Sequence, residues 1–250
     1  VTLLLDQGRL VKTTRFQKPR YVGDPLNAVR IFNEYEVDEL IFLDIGASKG
    51  SPIRFGLLQM IADQCFMPVT YGGGLTSLEA MHRVFQIGFE KVALNTGALR
   101  NPELVAQASR RFGRQSIVAS VDCRRDWLGR YQLVAAGQRL VRDPLDWCMQ
   151  LEQLGAGELL VNCVDRDGTW NGYDLAGLKR LRQRVSIPLI ALGGASSVED
   201  LGRAISESGV DAAAAGSLFV FQKKGIGVLL HYPDSATLTP IRLQQTGRTL

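Results

Sequence analysis

Carboxylates stand where short apolar runs give way to polar loops. Asp6 follows VTLLL, Asp44 sits in ELIFLDI, Asp122 closes SIVASVD, and Asp165 and Asp167 lie in VDRDGTWNGYD. An acid fixed at the end of a buried strand suits proton transfer, because burial shifts its pKa and the strand fixes its place. Beside these acids come Gly72–Gly74 in YGGGL, Gly193-Gly194 in LGGAS, Asn95-Thr96 in LNTG and Gly216-Ser217 in AGS. Glycines let backbone N–H groups approach an oxyanion closely, and hydroxyls at helix starts add donors, so these segments suit phosphate. Each has a plainer use. Either glycine run alone serves a tight turn, and Asp-Gln-Gly-Arg from Asp6 is ordinary turn chemistry.

The elements that must position these residues repeat down the chain. Apolar runs of strand length occur at Val1–Leu5, Glu39–Ile45, Met67–Tyr71, Lys91–Asn95, Ser116–Asp122, Glu158–Val164, Pro188–Leu192 and Ala212–Gly216. Most are apolar throughout, as strands covered on both faces are. Amphipathic stretches of helical length lie between, including Asp24–Glu36, SLEAMHRVFQIG, NPELVAQASRRFG and SVEDLGRAISESG. Thr76 and Glu79 have capping-box spacing, and Asn101 before Pro102 reads as a cap before a first turn. Eight strands alternating with helices predict an α/β protein, a (β/α)8 TIM barrel over residues 1–232, with residues 233–250 as a surface tail. A doubly wound sheet has fewer strands and a glycine-rich turn after its first, which this chain lacks.

Two halves of the chain match each other. PVTYGGGLTSLEAMHRVFQIGFEKVALNTG from Pro68 aligns with PLIALGGASSVEDLGRAISESGVDAAAAGS from Pro188. Gly73-Gly74 fall on Gly193-Gly194 (120 positions on), Asn95-Thr96 on Gly216-Ser217 (121) and Glu39 on Glu158 (119). Matches in order with a drifting offset point to a barrel of two half-barrel repeats. Active groups of such barrels gather at the C-terminal strand ends, so paired anion loops face each other across one mouth and predict a substrate with two phosphates.

Composition narrows the function classes. The 29 basic and 25 acidic residues give a net charge of +4 without a basic block, so no nucleic-acid arm is expected. No apolar stretch approaches the roughly 20 residues of a membrane span. No signal peptide is expected, and because the chain begins without Met, residues upstream of Val1 are expected to be missing. Cys65, Cys123, Cys148 and Cys163 stand singly with two histidines; this predicts no metal site and a reducing, cytoplasmic setting. No cofactor is expected.

VDRDGTWNGYD, with the YGGGL, LNTG, LGGA and AGS segments, closely resembles the cyclase subunit of imidazole glycerol phosphate synthase, over about Leu10 to Phe221. The resemblance implies a barrel that takes ammonia from a class I glutaminase partner through its central pore. It then splits and cyclises a bis-phosphorylated ribonucleotide. It implies Asp122 as catalytic acid, with one phosphate site at Gly74, Asn95 and Thr96 and another at Asp167, Gly168, Gly194, Gly216 and Ser217. Glu39, Lys91 and Glu158 match three charges of the ring that gates ammonia entry; the fourth, an Arg in the family, would precede Val1.

The chain departs from the family at the first strand. The family's catalytic base is an Asp in a CLD-x-x-x-GR-x-V-K-G context. Aligned without gaps on Gly8-Arg9-Leu10-Val11-Lys12, that Asp falls on Leu4, and only two deletions bring Asp6 to the place. Continuing the repeat offsets down to about 118 from Asp122 also selects Leu4. Thr13 replaces a further family glycine. The favoured expectation is therefore a paralogue that keeps barrel, pockets and ammonia passage. The segment Leu3–Ile45 resembles the branch that works with a glutaminase and an amidotransferase to turn an acetamido sugar into an acetamidino sugar for surface polysaccharide. The histidine-pathway cyclase and a non-catalytic scaffold for a glutaminase are the alternatives.

Overall fold

The computed structural model describes residues 1–126, 128–135, 138–140, 143–223 and 226–246. The sheet at its centre has parallel strands β1 (Thr2–Asp6), β2 (Leu40–Asp44), β3 (Val69–Gly72), β4 (Lys91–Leu94), β5 (Ile117–Arg125), β6 (Glu158–Cys163), β7 (Leu189–Leu192) and β8 (Ala212–Ala213). Each pairs with the next in chain order. Thr2 N–H donates to Ala215 O at 2.9 Å, which brings the first strand against the end of the last.

Alternation along each strand separates two apolar layers. Leu3, Leu5, Phe42, Tyr71, Leu159 and Val161 pack outward into the helix layer. Ile41, Ala93, Val118, Leu160, Ile190, Leu192 and Ala214, with Leu43 and Ala212, form a separate inner cluster drawn from six strands. Side chains from that many strands meet only inside a curled sheet, so the TIM-barrel expectation holds.

The repeat is present in the registers. Leu4 pairs with Leu43 on β1–β2, and Asp122 pairs with Asn162 on β5–β6. Ile41 pairs with Thr70 and Leu160 with Ile190; Thr70 pairs with Lys91 and Ile190 with Ala212. Corresponding residues are thus 118, 119, 120 and 121 positions apart from β1 to β4, the drift seen in the sequence.

Helix ends follow local chemistry, with corrections. Asp24 caps Pro25–Glu34 by accepting from Leu26 N and Asn27 N. Helix Leu78–Ile87 is capped by Ser77, which accepts from Ala80 N, so the cap lies one residue after Thr76. In Glu103–Phe112 the cap position is Pro102, without a side-chain bond; Asn101 contributes only its carbonyl, to Leu104 N. Hairpins absent from the sequence reading follow β1 (Arg9–Thr14 with Gln17–Gly23) and extend β5 (Tyr131–Ala135 with Gln138–Leu140). Part of the expected tail is ordered: Ser235–Thr246 is a helix, Leu238 is buried, and Ile241 packs at Gly202 of helix Val198–Ser208. Arg242 and Tyr232 both bind the Asp38 carboxylate. The last four residues of the tail lie outside the described residues. Among the described residues no helix is long and apolar enough to cross a membrane.

Candidate functional site

Inner positions of the strands alternate with outer ones, so Thr2 and Leu4 point to the axis from β1, Ser120 and Asp122 from β5, and Glu158, Leu160 and Asn162 from β6. Asp122 stands near the C-terminal end of the barrel. Asn95 Nδ2 donates to its Oδ2 at 2.7 Å, and Asn162 bonds to it from the next strand. Burial inside the barrel pushes the Asp122 pKa up to about 7; the Asn95 bond opposes this, and the charge of Asp167 adds to it. A carboxyl that titrates near neutrality exchanges protons in either direction.

Asp6 ends β1 in the hairpin, paired with Arg9. Its Oδ1 lies 3.0 Å from where a Cβ on Gly46 would stand, and Asp44 Oδ1 lies 3.3 Å from the same point. Asp44 accepts from Ala47 N at 2.8 Å and from Tyr71 OH at 3.3 Å. Burial raises the Asp44 pKa, against those two bonds, and the Asp6 charge adds a little. The structure groups Asp6 with Asp44, while Leu4 holds the position equivalent to Asp122.

The glycines are required by close approach. Gly73 has φ +130°, and a Cβ there would stand 2.4 Å from Asp44 O; Gly194 has φ +108°, and a Cβ would stand 2.2 Å from Gly172 O. Asp167, Gly168, Gly194, Gly216 and Ser217 line one pocket with Gly193. On the other side Gly74, Asn95 and Thr96 come from the ends of β3 and β4, and the Asn95 side chain links that loop to Asp122.

Lys12 joins the Asp167 pocket, a placement the sequence reading missed. Its Nζ meets Asp167 Oδ1 at 2.7 Å, both side chains buried. Its stem also runs beside Gly216, with Cε 3.2 Å from a Cβ built there. That cation offsets the charge of the acid in the pocket. Lys12 is reached only through the Arg9–Thr14 hairpin folding back over the mouth, a long-range placement that no local pattern carries.

At the opposite end Glu39, Lys91 and Glu158 meet. Lys91 Nζ lies 2.8 Å from Glu158 Oε1 and 3.4 Å from Glu39 Oε1, and Thr70 Oγ1 donates to Glu39. Burial works to lower the Lys91 pKa, but the Glu158 bond and both negative charges outweigh it and raise the value. Cys123 and Cys163 prove to be register neighbours rather than isolated thiols. Among the described residues no group of three or more His, Cys, Asp or Glu is placed to hold a metal ion.

The sequence profile of the histidine biosynthesis protein family matches residues 1–224. The chain belongs to that family. Within it, the chain is 47% identical over 235 residues to a Pseudomonas aeruginosa protein provisionally named imidazole glycerol phosphate synthase subunit hisF2, covering 93% of each. It is 41% identical over 237 residues to a Vibrio vulnificus protein provisionally named subunit hisF3, covering 93% of this chain and 91% of that one. It is 40% identical over 225 residues to imidazole glycerol phosphate synthase subunit HisF of Alkaliphilus metalliredigens, covering 88% of each. Membership in the cyclase-subunit family agrees with the barrel expected from the sequence.

Proposed function

We propose that this chain is the ammonia-delivering barrel of a glutamine-dependent synthase in which the cyclase chemistry of the family has been given up. The observation that carries this is the register of β1. Leu4 occupies the place whose counterpart in the other half holds Asp122, so one of two facing proton-transfer groups is a hydrocarbon. Losing a general base costs typically 10²–10⁴-fold. The other parts remain: the two anion loops, Lys12 paired to Asp167, and the Glu39–Lys91–Glu158 cluster at the N-terminal end of the barrel. The end reaction supported best is amidination of an acetamido sugar for surface polysaccharide, carried out with a glutaminase and an amidotransferase. Its support is the resemblance of Leu3–Ile45 to that branch. A soluble protein of this role works in the cytoplasm.

A class I glutaminase subunit is the partner, docking under the charged cluster. The test is co-purification and titration with such a subunit from the same genome. The reading expects a complex, and barrel-site phosphate should alter glutaminase affinity because coupling between linked sites is reciprocal. A monomer with no affinity for the glutaminase sinks it. The second reading, histidine-pathway cyclase, is favoured by Asp122 titrating near 7 between two anion loops.

A further inference from the structure

Three of the four cysteines face one cavity outside the site described above. Cys123 lies on β5, Cys163 closes β6, and Cys148 sits on helix Pro144–Gln153. All three line a space of about 40 Å³, together with Tyr131, Leu178 and Leu192. One water needs about 10–15 Å³ of such space, so the cavity admits a molecule of two or three heavy atoms and no peptide thiol. It reaches solvent beside exposed Arg180 and half-buried Tyr131 and Leu145. Cys123 and Cys163 are register partners on adjacent parallel strands. Such strands pair roughly 4.8 Å apart, within the Cα separations of about 4.4–6.8 Å that a disulfide spans. The two thiols share a hydrogen bond, with the Cys163 sulfur as acceptor.

We propose that Cys123 and Cys163 are a peroxide-oxidised thiol pair, with the cavity as the peroxide site and their bridge as a switch on the Asp167 loop. The Cys163 thiolate attacks one oxygen of hydrogen peroxide; an S–O bond forms, the O–O bond breaks, and hydroxide leaves to take up a proton. The Cys123 thiol then attacks the sulfenic sulfur. The S–S bond forms, the S–O bond breaks, and the hydroxyl leaves as water with the Cys123 proton. Two thiols and one peroxide thus give one disulfide and two waters. The roles follow from the surroundings of each sulfur. The Cys123 hydrogen bond and the Arg166 N–H hold the Cys163 pKa below the ordinary thiol value, against burial. The same bond, with burial, pushes Cys123 well above it. Cys148, pushed up to about 12 by burial, is a poor nucleophile. The backbone carries the consequence to the loop. Cys163 O accepts from Arg166 N and Asp167 N, both at 3.0 Å, and Val164 N donates to Cys123 O at 2.9 Å. A bridge draws these strand ends together and shifts the turn that sets Asp167 in its pocket. This last step rests on the anion-loop reading above.

The test treats the reduced full chain with hydrogen peroxide, alkylates the remaining thiols under denaturing conditions and maps the peptides by mass. A Cys123–Cys163 bridge is expected, with two of the four thiols protected and both recovered by dithiothreitol. Cys123→Ser should stop at a Cys163 sulfenic acid that dimedone captures, and Cys148→Ser should bridge as the native chain does. Four thiols still alkylated after peroxide, a bridge to Cys148, or capture at Cys65 ahead of Cys163 overturns the pair. The native chain gives these readouts by itself, so a variant that fails to fold leaves the test standing. Calorimetry with inorganic phosphate reads the switch. Binding weaker by about fivefold or more in the bridged chain, restored by dithiothreitol, is expected. Equal affinity overturns the link to the loop. A reduced chain that binds no phosphate overturns the anion-loop reading and the switch with it, while the mapped bridge still decides the thiol pair.

Discussion

Leu4 and Asp122 are equivalent residues in the two halves of the barrel, each directed at the axis, each in the same register with its neighbour strand. One half thus presents a hydrocarbon where the other presents an acid. The acid is left without a facing carboxylate, and its raised pKa comes first from burial.

That burial has a consequence for stability against pH. The folded-state value near 7 exceeds the ordinary 3.8, so the protonated form is the one the fold favours. The contribution is intact below the unfolded value and is lost as pH rises toward 7. Asp122→Asn should therefore match the native protein in urea denaturation near pH 4 and exceed it near pH 8. The gain has an upper bound of roughly 4 kcal/mol, at ~1.4 kcal/mol per pKa unit. Parallel stability curves for the two proteins would show that Asp122 is not held in this way.

Lys12 and Asp167 form a buried pair. Replacing Lys12 with Met leaves a buried carboxylate without its cation, and such losses cost about 3–5 kcal/mol. Adding Asp167→Asn should return most of the loss. If the single change is silent by chemical denaturation, the pair is solvated and cannot organise the Gly216–Ser217 loop.

Lys91 holds Glu39 and Glu158 together at the other end of the barrel. Its pKa is raised, so its stabilising effect is present through neutral pH and is lost only as pH climbs through that raised value. Lys91→Met should destabilise by a similar margin at pH 6 and pH 8, and less in strong alkali. It should also weaken glutaminase binding while leaving phosphate binding untouched. Loss of both would place the cluster in the folding core instead of at an entry.

Gly194 has no room for a side chain against Gly172 O. Gly194→Ala should weaken phosphate binding at least tenfold by calorimetry, since the Asp167–Gly172 loop must retreat. Gly202→Ala, on the helix under the C-terminal segment, meets its nearest neighbour at 3.5 Å and should be neutral or stabilising by up to ~1 kcal/mol. Equal effects from the two would indicate general glycine sensitivity and no pocket.

The barrel was legible because each inner strand is a short apolar run and the halves repeat with a drifting offset. Features that depend on one residue's rotamer or on distant contacts were not. Ser77, not Thr76, caps its helix, because two neighbouring hydroxyl residues both fit the pattern. Helix Ser235–Thr246 hid behind Pro240 and an apolar spacing too sparse for a face; its order comes from Leu238 and Ile241 packing on another helix. Asp122 was visible at its strand end, whereas Lys12 and Asn162 matter only through partners far away in sequence. The place of Leu4 was readable from the offsets, and the strand register gives the same equivalence.

The most direct measurement is turnover of the family's bis-phosphorylated ribonucleotide with ammonium salts as nitrogen source, for the native chain, Leu4→Asp and Asp6→Asn. With Leu4 at the base position, the native chain is very slow or inactive, Asp6→Asn does not differ from it, and Leu4→Asp gains measurable activity. A native rate normal for an enzyme, abolished by Asp6→Asn, would contradict the account and assign the histidine-pathway reaction to this chain.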